Sequence, residues 1–226
     1  AKYDLPATTT TITLSGVDLR IQDTNGGDTD DDLTISPDGI VVTIHDPTNL
    51  LSTGIPGATG DGTNTVTVLL SSFTGDIFVD TLGGDDTLTV DFTGGNPIPN
   101  GGLTFNGAGE ATATGDVLNV IGNATPFDSF TVNHTGSGAD GYNGNIVIDD
   151  GSVTRTITFT GLEPINAGDA TDIEFNLPGT DDVMTLADVG GGQFTLNVTS
   201  GTAEMVTMNY PAAGGSLTIN MVDGND

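Results

Sequence analysis

The sequence predicts an all-β protein, and the architecture it favours is a parallel β-solenoid with irregular loops. Short runs of alternating apolar and polar residues recur along the whole chain, and a period of two indicates strands. Of the 226 residues, 34 are glycine and 38 are threonine. Threonine suits the exposed positions of a strand because it is β-branched and polar. Glycine and aspartate recur together between the runs, where they predict tight turns.

The predicted strands follow one another at intervals of mostly 10 to 17 residues. An Asp-Gly pair, Asp150-Gly151, lies between two apolar runs and predicts a hairpin, because this pair readily adopts the backbone of a tight β-turn. Such local antiparallel pairing leaves a second architecture open, namely antiparallel β-sandwich modules. The clearest alternating runs, in chain order, are residues 11–14, 41–44, 65–68, 87–90, 129–132, 156–159, 194–198 and 217–219.

An internal repeat organises much of the chain. Residues 76–95 align without gaps to residues 172–191, with eight identities over 20 positions. The repeating unit is a strand, a glycine turn, an aspartate pair and a second strand. A looser copy covers residues 19–35, and residues 115–120 carry only the second half. A repeat at this spacing is typical of stacked β-architectures.

The last ten residues, 217–226, match the first half of the repeating unit and carry no second strand. Other copies of the chain are therefore expected to complete the unit head-to-tail, by β-strand addition. The run at residues 8–14 is the candidate for the added strand. The alternative is a longer parent chain that supplies the next strand covalently.

No clear linker divides the chain, so residues 1–226 are predicted to form a single β-rich repeat domain. Two segments rich in proline and glycine, residues 46–62 and 94–102, are interpreted as long turns. A sub-boundary near residues 62–75 is the alternative.

The charge balance excludes several classes of protein. The formal net charge is −28, and the only basic residues are Lys2, Arg20 and Arg155. A surface this negative repels phosphate, which argues against nucleic-acid binding, and no apolar run approaches the ~18 residues that membrane insertion requires. Because cysteine is absent, disulfides and thiol nucleophiles are excluded.

The aspartates are the candidate metal ligands. Only four of the 31 acidic residues are glutamate, and aspartate is favoured both in turns and as a calcium ligand. If equivalent turns stack ~5 Å apart, two carboxylates repel by ~1 kcal/mol in water and ~3 kcal/mol near a protein surface. A bound calcium ion would relieve that repulsion, whereas the alternative role is turn formation and solubility. The predicted ligands are Asp30, Asp31, Asp32, Asp85, Asp86, Asp181, Asp182, Asp223 and Asp226.

No catalytic or cofactor-binding residue is predicted, and we expect the protein not to be an enzyme. The two histidines, His45 and His134, occur in unrelated contexts. No Gly-x-Ser-x-Gly nucleophile motif is present. Tryptophan, which often stacks on sugar substrates, is absent as well.

Three segments resemble the Gly/Asp/Thr-rich tandem-repeat modules of giant bacterial secreted and cell-surface proteins: residues 76–105, 156–165 and 217–226. The ending Asp223-Gly224-Asn225-Asp226 is also similar to half of an RTX calcium-binding nonapeptide, although the chain does not repeat Gly-Gly-x-Gly-x-Asp every nine residues. The resemblance implies an extracellular structural module that builds a fibre, surface layer or matrix. The alternative that it implies is a carbohydrate- or cell-binding module of a calcium-dependent adhesin.

Overall fold

The chain folds almost entirely into β-strands. A computed structural model describes residues 8–24, 29–110, 115–122, 125–138, 140–179, 183–198, 203 and 205–221. Within these residues the helical content is a single 3₁₀ turn, Leu70–Ser72, and no helix is long and apolar enough to cross a membrane. The predicted all-β class is confirmed.

Every alternating run singled out in the sequence lies within a strand of the described structure. The strands are β1 (Thr8–Ser15), β2 (Asp18–Asp23), β3 (Asp32–Asp38), β4 (Val41–His45), β5 (Leu50–Thr53), β6 (Thr65–Leu69), β7 (Asp76–Asp80), β8 (Gly83–Gly84), β9 (Thr87–Asp91), β10 (Gly102–Asn106), β11 (Gly109–Glu110), β12 (Val117–Ile121), β13 (Phe127–Gly138), β14 (Gly141–Asp149), β15 (Thr154–Leu162), β16 (Ile165–Ala167), β17 (Ala170–Asn176), β18 (Met184–Gly190), β19 (Gln193–Val198), β20 (Val206–Asn209) and β21 (Ser216–Asn220).

Two large mixed sheets contain nearly all of these strands. The ten-stranded sheet has the order β21-β17-β13-β14-β15-β10-β7-β2-β1-β5. The nine-stranded sheet has the order β18-β19-β20-β16-β12-β9-β3-β4-β6, and the short strands β8 and β11 form a third sheet.

The middle of each large sheet is parallel. In the ten-stranded sheet β2, β7, β10 and β15 run parallel, and in the nine-stranded sheet β3, β9, β12, β16 and β20 do so. The chain alternates between the sheets as it adds these strands, from β2 to β3, β7 to β9, β10 to β12 and β15 to β16. Each passage therefore places one strand on each sheet beside the strand of the previous passage.

Antiparallel hairpins make both sheets mixed. In the ten-stranded sheet β14 lies between two parallel groups, one of β15, β10, β7 and β2 and the other of β13, β17 and β21. The hairpin predicted at Asp150-Gly151 joins β14 to β15, with Asp149 opposite Thr154. Further antiparallel pairs join β13 to β14, β3 to β4, and β18 to β19.

The inward side chains of the two sheets pack into one main core. In the ten-stranded sheet Leu19, Ile77, Leu103 and Ile157 occupy one register position and are buried. The nine-stranded sheet has an equivalent buried row at one register position, made of Leu33, Leu88, Leu118 and Ile165. Both rows belong to one apolar cluster. Aligned rows of branched side chains favour parallel in-register pairing because each residue packs on a similar neighbour.

Two expectations about the repeat need correction. The second halves of the two best repeat copies do not occupy equivalent places: β9 lies in the parallel middle of its sheet, whereas β18 is an antiparallel edge strand beside β19. Residues 8–14 belong to β1, which pairs with β2 on one side and β5 on the other. That strand is therefore already paired in its own chain and cannot complete the last repeat of another copy.

Candidate cation site: a column of buried aspartates

The turns that precede β3, β9 and β12 stack on one another and bring Asp31, Asp86 and Asp116 into a row, which we call the acidic column. Each of the three residues stands immediately before its strand in the parallel middle of the nine-stranded sheet. Because those strands pair in parallel register, the residues that precede them lie side by side at the N-terminal ends of the strands.

The carboxylates of Asp86 and Asp116 each accept a hydrogen bond from the backbone of the neighbouring turn. The amide of Asp31 donates to Oδ1 of Asp86 at 2.7 Å, and the amide of Asp86 donates to Oδ1 of Asp116 at 2.8 Å. The backbone continues the ladder, because Thr87 donates to the Asp31 carbonyl and Val117 to the Asp86 carbonyl. One oxygen of the Asp86 carboxylate and one of the Asp116 carboxylate thus each accept from a backbone amide that lies outside the strand ladder.

The column is buried. Asp31 is 1% exposed, and Asp86 and Asp116 are 0% exposed. The second carboxylate oxygens of Asp31 and Asp86, both named Oδ2, are enclosed by protein and accept no hydrogen bond. An unpaired buried carboxylate oxygen costs free energy, so this arrangement demands a positive partner or a proton.

A residue of β1 and a residue of the loop between β4 and β5 bind the first member of the column, Asp31. The Asn49 side-chain amide donates to Oδ1 of Asp31 at 2.9 Å, and the Thr10 hydroxyl donates to the same oxygen at 3.3 Å. Asp23 and Asp46 are buried nearby, and their charges act on Asp31.

The surroundings of Asp31 and Asp86 disfavour the ionised form of both carboxylates. Burial, with the charges of Asp86, Asp23 and Asp46, raises the pKa of Asp31 from 3.8 to about 7, against a small opposing effect of the Thr10 hydrogen bond. Burial likewise raises the pKa of Asp86, to about 6, although hydrogen bonds from the Asp31 amide and the Thr81 side chain oppose the rise.

Asp46 behaves in the opposite way. Burial alone would raise its pKa, but hydrogen bonds from the backbone and side chains of Asn49 and Thr48 lower it below the usual value. Its carboxylate is therefore a satisfied anion that fixes the turn after β4.

The described arginines and His45 make their contacts with residues other than the three aspartates of the column. The Arg20 guanidinium lies 4.5 Å from the centre of the Phe78 ring, and Arg155 donates to the carbonyl oxygens of Ile98 and Thr154. Nδ1 of His45 lies 2.9 Å from the Asn64 carbonyl and from the Thr65 hydroxyl. Lys2 lies outside the described residues.

The structure sorts the predicted calcium ligands into three groups. Asp31 and Asp86 meet in the column, whereas Asp30 and Asp32 are exposed and Asp85 is half-buried. Within the part of the chain that is described, no group of three or more His, Asp or Glu side chains is arranged to hold a metal ion. The remaining predicted ligands lie outside the described residues: Asp181, Asp182, Asp223 and Asp226.

Sequence reasoning missed Asp23, Asp46 and Asp116 as members of this environment. The signal for Asp116 was present, because the short repeat at residues 115–120 begins Gly-Asp before an apolar run. Asp46 gave no such signal, since it reaches the column from a turn outside the repeat.

A glycine permits the turns of the column to approach each other. Gly84, just before the Asp85-Asp86 pair, has a φ angle of +145°. A Cβ atom at this position would lie 2.6 Å from the carbonyl oxygen of Thr29 in the neighbouring turn. A side chain there would separate the stacked turns.

A second polar feature lies on the nine-stranded sheet. A surface groove of about 420 Å³ is lined by residues from β9, β12, β16, β19 and β20. Amide side chains cross it in a hydrogen-bonded row, in which Asn166 donates to Asn119 at 3.0 Å and Asn119 donates to Thr89 at 3.3 Å. Asn209 and Gln193 also line the groove.

Comparisons of the chain with protein-family models, with curated proteins and with solved structures found no match.

Proposed function

We propose that this protein is an extracellular structural module that assembles head-to-tail into a fibre, surface layer or matrix. The observation that carries the proposal is the end of the molecule formed by β18 and β21, where, among the described residues, an edge strand is paired on one side and several large apolar side chains are exposed. We further propose that the parallel strands are the successive coils of a β-solenoid.

The solenoid proposal is supported by the alternating path of the chain. Each passage adds one parallel strand to each sheet, and side chains stack in register outside the core as well as inside it. On the ten-stranded sheet Asn220 donates to Asn176 at 2.8 Å, and Asn176 donates to Asn133 at 2.7 Å. Such amide rows are favourable where equivalent strands repeat along an axis.

The apolar end supports the assembly proposal. Among the described residues β21 pairs with β17 on one side only. Its core-side residues Leu217 and Ile219 are only half-buried. Of the nine large apolar side chains that are exposed in the described part of the chain, six lie between positions 183 and 221: Val183, Leu186, Val189, Met205, Tyr210 and Met221.

A second copy of the chain is the partner that fits this end. An edge strand offers main-chain hydrogen bonds to an incoming strand, and its apolar side chains gain burial when that strand docks. At the opposite end of the sheets the edges are β5 and β6. A contact between unlike ends propagates into a filament unless its rotation closes a ring.

The test compares two lysine substitutions in β21. Ile219→Lys places a charge on the half-buried face, and Thr218→Lys places the same charge on the exposed face of the same strand. We expect the unmodified protein and Thr218→Lys to sediment as polymers and to form filaments or layers in negative stain, and Ile219→Lys to remain monomeric. A monomeric unmodified protein at high concentration would refute the assembly, and polymers of Ile219→Lys would exclude β21 as the connector.

The second candidate function is carbohydrate binding, which the amide-lined groove favours. Planar amides such as those of Asn166, Asn119 and Asn209 both donate and accept hydrogen bonds, as sugar hydroxyls require. Asn166→Ala should weaken binding to any glycan that the protein retains on an array, whereas Asn220→Ala, on the other sheet, should not. Equal binding by both variants, or no glycan retained by the unmodified protein, would eliminate this candidate.

A further inference from the structure

We propose that Asp31 and Asp86 bind a calcium ion between the first two turns of the acidic column. The proposed ligands are the Oδ2 oxygens of the two carboxylates, which belong to consecutive stacked turns. Calcium would hold the turns together, since neither of the arginines in the described part of the chain supplies a positive charge to them.

The first observation is geometric. The Asp31 amide donates a hydrogen bond to Oδ1 of Asp86, with 2.7 Å between the nitrogen and the oxygen. This bond fixes the position of the Asp86 carboxylate relative to the Asp31 backbone. Oδ1 of Asp31 is in turn held by Asn49 and Thr10. Each carboxylate is therefore oriented by its first oxygen, and the second oxygen is left to meet a ligand.

The second observation concerns those second oxygens. Asp31 and Asp86 are at least 99% buried, and neither Oδ2 atom accepts a hydrogen bond from the protein. A solvated turn would let water satisfy these atoms, and an ordinary buried aspartate uses both of its oxygens. Two oxygens that remain unsatisfied in adjacent turns point to one shared cation.

The surrounding charge favours a divalent cation. Asp23, which is 2% exposed, acts electrostatically on both Asp31 and Asp86. The described arginines lie elsewhere, one on Phe78 and the other at the Ile98 carbonyl. The pair and Asp23 together carry three negative charges when ionised, which a monovalent ion would offset only in part.

Calcium suits the ligand set better than magnesium does. Two carboxylates do not by themselves form a metal cage, so backbone carbonyls and water must complete the coordination. Calcium accepts six to eight oxygen ligands in flexible arrangements that include carbonyls, whereas magnesium demands a near-ideal octahedron and keeps several waters.

The test titrates calcium into protein that has been stripped with EDTA and exchanged into chelator-free buffer. Binding is followed by calorimetry, and the melting temperature is measured in parallel at constant ionic strength. We expect saturable binding of roughly one calcium ion per chain, with a rise in melting temperature as the site fills. Magnesium at the same concentration should give a smaller rise.

Three variants locate the site. Asp86→Asn keeps an oxygen to accept the Asp31 amide but loses the charge, and Asp31→Asn is the reciprocal change. Each should weaken calcium binding by at least about tenfold and should melt no lower than the unmodified protein in EDTA, because a repulsion is removed. Asp32→Asn removes the same charge from an exposed neighbour and should bind calcium as the unmodified protein does.

The proposal is wrong if the unmodified protein takes up no calcium at millimolar concentration and its melting temperature does not move. It is equally wrong if Asp32→Asn weakens binding as much as Asp86→Asn does, because the effect would then be a general attraction of cations to an acidic surface. An equal response to sodium chloride at matched ionic strength would overturn it for the same reason.

Discussion

Replacing Gly84 by alanine tests whether the stacked turns of the acidic column depend on close backbone contact. An added Cβ atom would lie 2.6 Å from the Thr29 carbonyl oxygen and 2.9 Å from the carbonyl carbon of the same residue. Both contacts are to backbone, which cannot swing aside as the end of a side chain can. The turn that contains Thr29 would therefore have to shift away from the turn that contains Asp85 and Asp86.

The expected cost has two parts. A non-glycine residue at φ +145° is strained by about 1–3 kcal/mol. Forcing two packed segments apart typically costs about 1–3 kcal/mol more. We therefore expect Gly84→Ala to lower the free energy of unfolding by about 4 kcal/mol. In a chain of this length that loss corresponds to roughly 8–16 °C in melting temperature.

Gly39→Ala is the matched control. Gly39 also has a positive φ angle, +63°, but a Cβ atom there would meet nothing within 4 Å. This variant should lose only about 1 kcal/mol, the cost of the backbone conformation alone. Urea unfolding of both variants, at the same calcium concentration, gives the two free energies. Equal losses in the two variants would refute the argument that Gly84 is required by the contact between turns.

Three further predictions concern other parts of the molecule. Phe175→Ala should lower the free energy of unfolding, measured in urea, by about 3–5 kcal/mol. Phe175 is 0% exposed, and the centre of its ring lies 6.3 Å from the centre of the Phe194 ring. A loss under about 1 kcal/mol would contradict this packing. Hydrogen bonds from Ser152, Val153 and Asn96 overcome the effect of burial and lower the pKa of Asp150 to about 2, so its stabilisation should be complete above about pH 4 and fade as the pH falls towards 2. Asp150→Asn should remove that part of the acid dependence, at a cost below about 1 kcal/mol because solvent screens the site; an unchanged acid unfolding curve would be inconsistent with the pKa. The sequence predicts no catalytic residue, so screens on polysaccharides, esters and peptides should detect no turnover; turnover abolished by a single aspartate substitution would disprove that prediction.

The strands could be predicted because the signal for them is local. Alternation within runs such as residues 87–90 and 156–159 needs only the pleat, and the Asp150-Gly151 turn needs only its own backbone. The pairing of Asp31 with Asp86 was also accessible, because both follow glycine turns in copies of one repeat. Their burial was not, since an aspartate in a turn is exposed far more often than enclosed.

Features that depend on distant parts of the chain were not predictable in this way. The run at residues 183–186 matches residues 87–90 in the repeat, yet β18 pairs antiparallel with β19 at an edge and leaves Leu186 46% exposed. The run at residues 8–14 pairs within its own chain because β2 follows it after a tight turn and β5 lies on its other side. Sequence pattern identifies a strand but not its neighbour.

The hydrogen bonds of the acidic column have a direction along the chain. Asp31 depends on an oxygen of Asp86, 55 residues later, and Asp86 depends on one of Asp116, 30 residues later still. If the polypeptide leaves a ribosome or a secretion channel with its N-terminus first, each turn has to wait for the next turn to emerge before its amide is satisfied. The newest part of the nascent chain would then always carry an open amide, and each later segment would complete the folding of the one before it.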